Sequence, residues 1–295
     1  MSTPTVRYRS SDEDSARWED FGFRDGDIVV STRSKSGTTW MQTVLLLLLH
    51  GDPELPAPLA DLSPWLDHTI EPVADVVARL EQQPGRRVVK THTPLDGIPL
   101  DPRAAHVVVA RHPLDMAVSL YHQGDNLDRE RMRELTGAPA PAGPVPPRPS
   151  LSEWLPRWVE STADPREAMD SLPGVAHHLN DAWARRHTDN VLLVHYDDLL
   201  ADLEGEMRRL AAALRIAVPE ERWGELAQAA SFAQMRARTA RLVPNRLGVL
   251  KDPTLFFRRG SSGAGREALT GPQLQRYEQR AAELMEPDLL VWLHR

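Results

Sequence analysis

The stretch Asp27–Leu49 constrains the architecture more than any other part of the chain. A short apolar run, Ile28-Val29-Val30-Ser31, leads into Ser34-Lys35-Ser36-Gly37-Thr38-Thr39-Trp40. Met41-Gln42-Thr43-Val44 and five consecutive leucines, Leu45 to Leu49, follow. That order reads as strand, polar turn, helix. A helix start leaves about four backbone N–H groups unpaired and carries a partial positive charge, so it receives phosphate or sulfate readily. Gly37 lets the backbone approach an anion closely. Ser36, Thr38 and Thr39 add hydroxyl donors, and Lys35 adds a full charge. Capping alone would explain a Gly/Ser/Thr turn, but the lysine, the paired threonines and Trp40 favour an anion cradle.

Three further apolar runs read as buried strands: Arg87–Lys90, His106–Ala110 and Val191–His195. Helical stretches alternate with them. Pro113 suits the first position of a helix over Leu114–His122, and Leu203–Leu214 carries apolar residues at helical spacing. Strands alternating with helices predict an α/β fold with a central, mostly parallel sheet flanked by helices. Ligands of such sheets bind beyond the carboxyl ends of the strands. The Lys35 turn, Lys90-Thr91-His92 and Arg111 all fall at such ends. The Pro-rich stretch 137–150 cannot continue a helix. It reads as a surface insertion within one domain spanning residues 1–295.

Composition narrows the function. A net charge of -7 argues against broad nucleic-acid binding, so an anionic ligand needs a local basic site. The absence of cysteine excludes disulfides, thiolate metal sites and cysteine nucleophiles. Met1–Asp20 has no signal-peptide apolar core, and the leucine run falls far short of the roughly 20 apolar residues that span a bilayer. A cytoplasmic protein without a membrane span is expected. Of the 11 histidines, none forms an H-x-x-x-H or H-E-x-x-H pattern, so no metal site is expected.

The Lys35 turn fails as a Walker A loop, which reads G-x-x-x-x-G-K-[ST]; here Lys35 precedes Gly37 and the first glycine has no counterpart. Ser119 lies eight residues after Arg111, so a strand-end guanidinium and a helix hydroxyl can meet on one phosphate. Phe256-Phe257-Arg258-Arg259-Gly260 offers an arginine pair suited to the same task. His92, at the end of the second strand, is placed as a general base for a hydroxyl.

Taken together these motifs resemble the sulfotransferases that use 3′-phosphoadenosine-5′-phosphosulfate (PAPS), in particular the soluble type. The family's 5′-phosphosulfate loop, T-[YF]-P-K-S-G-T-T-W, stands here as Thr32–Trp40. Its K-T-H stands as Lys90-Thr91-His92, its 3′-phosphate segment as Arg111 and Ser119, and its F-x-R-K-G as Phe256–Gly260. Order and spacing match over roughly residues 20 to 270. The resemblance implies a P-loop-like three-layer fold. It also implies that Arg33, Lys35, Ser36, Gly37, Thr38 and Thr39 surround the 5′-phosphosulfate. Arg111, Ser119, Arg258, Arg259 and Gly260 then hold the 3′-phosphate, and Trp40, Tyr196, Ser231, Phe232, Met235 and Phe257 adjoin the adenine. Arg33 and Ser34 replace the family's aromatic and proline, and Gly263-Ala264-Gly265-Arg266-Glu267 replaces G-D-W-K-N. The animal dimerisation motif has no match, which leaves monomer or homodimer.

The resulting expectation is sulfuryl transfer to a hydroxyl, with adenosine 3′,5′-bisphosphate (PAP) released and no metal required. His92 acts as base, Lys35 stabilises the bridging oxygen, Ser119 restrains Lys35, and Lys90 contacts the acceptor oxygen. Trp65, Leu66, Tyr121, His122 and Phe256 are the candidate acceptor walls. They suit a phenolic or lipophilic alcohol, with a carbohydrate or lipid headgroup as the other option. Two rivals are a P-loop kinase-like enzyme, which needs a magnesium carboxylate, and a noncatalytic nucleotide-binding module. Retention of both Lys35 and His92 disfavours the second.

Overall fold

The computed structural model describes residues 6–141, 143–144 and 146–295. Four strands, β1 (Ile28–Ser31), β2 (Val88–Thr91), β3 (Ala105–Ala110) and β4 (Val191–His195), form one sheet in the order β2-β1-β3-β4. All three pairings are parallel. The sheet expected from the sequence is thus present, with strand limits shifted by at most one residue.

Side chains alternate between the two faces of the sheet, as the pleat requires. Ile28, Val30, Val88, Val107, Val109 and Val194 pack on one face against helix α1 (Thr38–His50). Val29, Val89 and Val108 pack on the other against Trp18, Leu66 and Leu80. Leu45–Leu48 are all buried, because α1 lies between the sheet and the Trp223–Ala229 helix and has apolar neighbours all round. α1 stops at Gly51, whose positive φ of 62° lets its N–H close on the Leu47 carbonyl at 2.9 Å. A third apolar cluster joins the Pro113–Asn126, Leu151–Val159, Leu172–Ala184 and Gly271–Leu284 helices.

The chain leaves β1 toward β2 on one side and returns to β3 on the other. This reversal of strand order opens a crevice at the carboxyl ends of β1 and β3. Ser31 of β1 is in register with Thr91 of β2 and Val108 of β3. The Gly37 turn, His92, Arg111 and Tyr196 therefore all emerge at the same edge of the sheet. Described residues of the 137–150 stretch have no helix or strand and are mostly exposed; Ala142 and Val145 lie outside the described residues. No helix among the described residues is long and apolar enough to cross a membrane.

At the opposite, amino-terminal edge, Asp27 and Arg87 form a fully buried ion pair, with Arg87 Nε 2.9 Å from Asp27 Oδ1. Arg87 also donates to the Gly22 carbonyl at 2.7 Å. The pair staples the starts of β1 and β2, and breaking one partner of such a pair costs about 3–5 kcal/mol. Asp27→Ala is expected to lower unfolding stability by that amount, measured by urea denaturation; a midpoint close to that of the parent protein would show that the pair does not anchor the sheet.

Candidate active site

One cavity of about 670 Å³ runs along the carboxyl edge of the sheet. At one end it is lined by Lys35, Gly37, Thr38, Thr39, Trp40, Arg111, Ser119, Tyr196 and the 256–260 segment. Trp65, His68, Lys90, His92, Glu13 and Asp170 line the other.

The anion cradle is strained into shape. Lys35 has a positive φ of 65° without being glycine, and Gly37 has φ 104° as the N-cap of α1. A side chain at Gly37 would lie 3.0 Å from Tyr196 Cδ2, so the position excludes Cβ on both counts. Thr32 and Thr38 share a hydroxyl–hydroxyl bond that closes the turn. Arg111 donates to the Lys35 carbonyl at 3.1 Å and the Ser261 carbonyl at 3.3 Å, and its guanidinium lies 4.3 Å from the centre of the Tyr196 ring. The Nε atoms of Arg111 and Arg258 are buried with no hydrogen-bond partner. Lys35 rests 4.0 Å above the Phe256 ring. Its ammonium is pushed down to about 7, first by burial and then by Arg111, Lys90 and Arg258. Several cations thus converge on one space, and among the described residues none of Lys35, Arg111 and Arg258 forms an ion pair.

The adjoining aromatic wall is built from Trp40, whose Nε1 donates to the Ala230 carbonyl at 2.9 Å and whose ring meets Tyr196 edge-on at 5.3 Å. Phe232 meets Phe257 edge-on at 6.3 Å. Gly260, with φ 65°, lets the chain pass over Phe232; a Cβ there would sit 2.4 Å from the ring. Asp115 fixes this segment by accepting from Gly263 N at 2.8 Å and Gly265 N at 2.7 Å. Residues 264–267, where the family's G-D-W-K-N pattern is lost, form a short helical turn packed on the Pro113–Asn126 helix.

His92 donates from Nδ1 to the Thr32 carbonyl, which leaves Nε2 as the unprotonated nitrogen. It bonds to no protein group and is not sealed from the cavity that His92 lines. The Trp65 ring meets His92 edge-on at 4.6 Å. Burial, then Lys90 and Arg33, hold the imidazole well below its ordinary value, so it stays neutral. Lys90, 4.0 Å from the Trp65 ring centre, is pushed down to about 8 by burial, against the opposing pull of Glu13, Asp67 and Asp170.

Most of the expected residues meet at this cavity; five lie off it, and a sixth, Arg33, lines it at the His92 end instead of the cradle. Leu66 is fully buried in the core: Trp65 and Leu66 straddle β2 through Lys90 N to Pro64 O at 3.1 Å and Leu66 N to Lys90 O at 3.2 Å, and alternation turns Trp65 to the cavity and Leu66 away. Tyr121 turns from the cavity and donates to the Pro149 carbonyl at 2.8 Å under Arg148. Ser231 caps the Phe232–Ala237 helix by accepting from Gln234 N at 3.4 Å. Ser36 is buried behind the turn. His122 borders a separate small cavity shared with Lys35, Ser119 and Arg258. Arg33 points away from the cradle, to the His92 carbonyl and to Asp170 at 2.7 Å, because the chain turns sharply after β1 and the positive φ of Lys35 sends the two side chains apart. Sequence reading missed Glu13, Asp67 and Asp170. It also missed His68, which stacks on Trp65 at 4.2 Å. All four lie in segments without strand-end motifs, and only folding brings them to β2.

The match that decides the family covers nearly the whole chain: residues 25–287 fit the Sulfotransferase domain family. The chain belongs to the sulfotransferase family. A glycolipid sulfotransferase of Mycobacterium tuberculosis is 41% identical over 99% of this chain and 95% of that protein. The dog sulfotransferase 1A1 is 26% identical over 96% of this chain and 90% of its own length. Among solved structures, a mouse sulfotransferase SULT7A1 complexed with PAP superposes with TM-score 0.71 at 19% identity, over 95% of this chain and 91% of that one. A retinol dehydratase superposes with TM-score 0.66 at 21% identity, over 97% and 92%. These likenesses bear out the P-loop-like fold expected for this sulfotransferase.

Gly37→Ala tests the cradle. The αL backbone costs a non-glycine residue about 1–2 kcal/mol, and the added methyl presses on Tyr196. Calorimetric affinity for PAP is expected to fall about tenfold or more, with an unchanged circular-dichroism spectrum. Undiminished affinity would mean that the turn does not touch the nucleotide.

Proposed function

We propose that this sulfotransferase moves a sulfuryl group from PAPS to a hydroxyl of a lipophilic acceptor, with His92 as general base. The observation that carries the reading is the pairing of two chemistries in one cavity. Lys35, Arg111 and Arg258 crowd together at one end without an ion-pair partner among the described residues, and the neutral, Nδ1-tethered His92 faces the other. The unpartnered Nε atoms of Arg111 and Arg258, and the glycines at 37 and 260, fit a donor with phosphates at both ends of its ribose.

PAPS supplies the sulfuryl group, and its transfer leaves PAP. The roles of the protein follow from its atoms. Lys35 and the N–H groups at the start of α1 hold the 5′ end and stabilise negative charge that builds on the leaving oxygen. Arg111, Ser119, Arg258 and the backbone at Gly260 hold the 3′ end; Arg259, which pairs with Glu267 at 3.1 Å, adds charge at the rim. Trp40, Tyr196 and Phe232 frame the adenine. His92 Nε2 takes the acceptor proton, and Lys90 lies beside it to steady the attacking oxygen. Ser119 borders both cavities with Lys35, which places it to restrain the ammonium before the acceptor arrives.

An apolar acceptor is supported by Leu59, Leu127, Met132, Leu247 and Leu250 along the outer half of the cavity. The mycobacterial relative, a glycolipid sulfotransferase, points the same way. A magnesium-dependent kinase finds no comparable support: Asp197 is engaged by Ser262 and Asp198 by Arg295, away from the cradle.

His92→Ala is expected to keep PAP affinity and lose about 10²–10⁴ in kcat, read by transfer from labelled PAPS to a panel of phenols and long-chain alcohols; a near-parental rate would remove His92 from the chemistry. Lys35 makes a pH prediction. Its ammonium is depressed to about 7 in the free protein and rises when an anion binds beside it. PAP affinity is therefore expected to decline as pH rises above about 7. Lys35→Met should abolish that dependence, and an unchanged pH profile in the variant would refute the assignment.

A further inference from the structure

Beneath His92 lies a cluster that sulfuryl transfer does not require. The Arg33 guanidinium donates through one nitrogen to the His92 carbonyl and through the other to Asp170 Oδ1 at 2.7 Å, with Glu13 Oε2 3.9 Å away. Arg33 and Glu13 are buried, and Glu13 Oε2 has no hydrogen-bond partner. Asp170 is half-buried, and no bond is made by its second oxygen, Oδ2. Glu13, Arg33 and Asp170 all line the cavity next to His92. A single guanidinium thus ties the loop of the general base to a carboxylate at its side; Glu13 Oε2 is sealed and unpartnered, whereas Asp170, whose Oδ2 has unused capacity, and the rest of the Glu13 side chain line the acceptor space.

Two kinds of acceptor suit carboxyl groups: a cation, or a neutral compound with several hydroxyls. The cluster's charge decides between them. Arg33 answers Asp170, and burial pushes Glu13 up to about 8, opposed by Arg33 and reinforced by Asp67, Asp170 and Asp12, so it is largely protonated at neutral pH. Lys90 adds a positive charge nearby. Beside His92 the carboxylate of Asp170 is thus answered by Arg33 and Glu13 is largely neutral, which gives a hydrogen-bonding array rather than a free anion to draw an amine. A protonated Glu13 both donates and accepts, and Asp170 Oδ2 accepts, which matches adjacent hydroxyls on one molecule.

We propose that Glu13 and Asp170 are specificity-determining residues that hold a second hydroxyl of a polyhydroxylated headgroup beside the one presented to His92, so that the enzyme favours sugar-headed or 1,2-diol amphiphiles over simple alcohols. This rests on the reading of His92 as the base of a hydroxyl acceptor. Arg33 is a positioning residue in the same cluster, acting on the acceptor through Asp170 and on the base through its backbone. The position is aromatic in the family's loop pattern, so the charged link is a property of this chain.

The test compares octyl β-glucoside and 1,2-octanediol with 1-octanol and octylamine. Two readouts are taken in the wild type, Glu13→Gln and Asp170→Asn: transfer from PAPS, and calorimetric binding to the PAP-loaded protein. The isosteric variants preserve volume, and PAP affinity confirms that each is folded. The wild type is expected to prefer the polyhydroxylated probes to 1-octanol by about 10–100-fold in kcat/KM, the worth of one or two hydrogen bonds to charged or buried groups. Asp170→Asn and Glu13→Gln should shrink that ratio about tenfold or more, chiefly through KM. Because the ratio is taken within each variant, a general disturbance of His92 cancels. Parental ratios in both variants, or octylamine bound more tightly than the diol, would overturn the proposal. If no probe is sulfated, the general-base reading fails; the binding ratios still decide the subsite, upheld by a diol preference lost in the variants and refuted by its absence.

Discussion

Positive charges gathered without ion-pair partners among the described residues govern the organisation of this sulfotransferase. Lys35, Arg111 and Arg258 sit at the carboxyl edge of a parallel sheet; Arg111 and Arg258 raise the cost of charge on Lys35, and Arg111 and Arg259 raise it on Arg258. Such crowding persists only where surrounding structure over-determines it. Here the constraint is the register of β1 with β2 and β3, which brings their carboxyl ends level. The positive φ of Lys35 and Gly37 then folds the chain back over that edge. Binding of a polyanion relieves the repulsion, so the energy held in the free site favours a ligand with several negative charges.

The acceptor half solves a different problem. Its ionisable groups are interleaved rather than segregated: Lys90 faces Glu13, Asp67 and Asp170, and Arg33 bridges Asp170 to the His92 loop. Asp67 accepts from Thr93 at 2.6 Å, from Trp18 at 3.2 Å and from Thr91. These bonds hold β2 and the residues just after it, so His92 is fixed from below through backbone and from the side by Trp65. An imidazole held in this way needs little reorganisation to act in the proposed role of base. The two ends of the cavity are thus unlike in charge, and a donor and an acceptor are sorted by that difference.

Much of the site was legible in the sequence because its parts are local. A turn that must bind an anion needs glycine, hydroxyls and a cation within a few residues, and strand-end positions follow from apolar runs. The four strands could be placed within one residue for that reason. Legibility failed where neighbours in sequence diverge in space. Trp65 and Leu66 adjoin in the chain but occupy opposite sides of β2, and Arg33 and Lys35 are separated by the turn in which Lys35 takes a positive φ. Tyr121 follows Ser119 by two residues, and the helix turns it toward Pro149 instead of the cavity. Ser231 carries a hydroxyl that serves its own helix.

The sequence by itself determined the alternation of strands and helices, the anion turn and the identity of the cations, since each depends on propensity or chemistry within a short window. Only the tertiary structure decided which carboxylates gather beside His92 and which of its nitrogens is free. Glu13, Asp67, Asp170 and Thr32 come from segments far apart in the chain, and their effect depends on distance and burial. Both are properties of the packed sheet, and no local pattern encodes them.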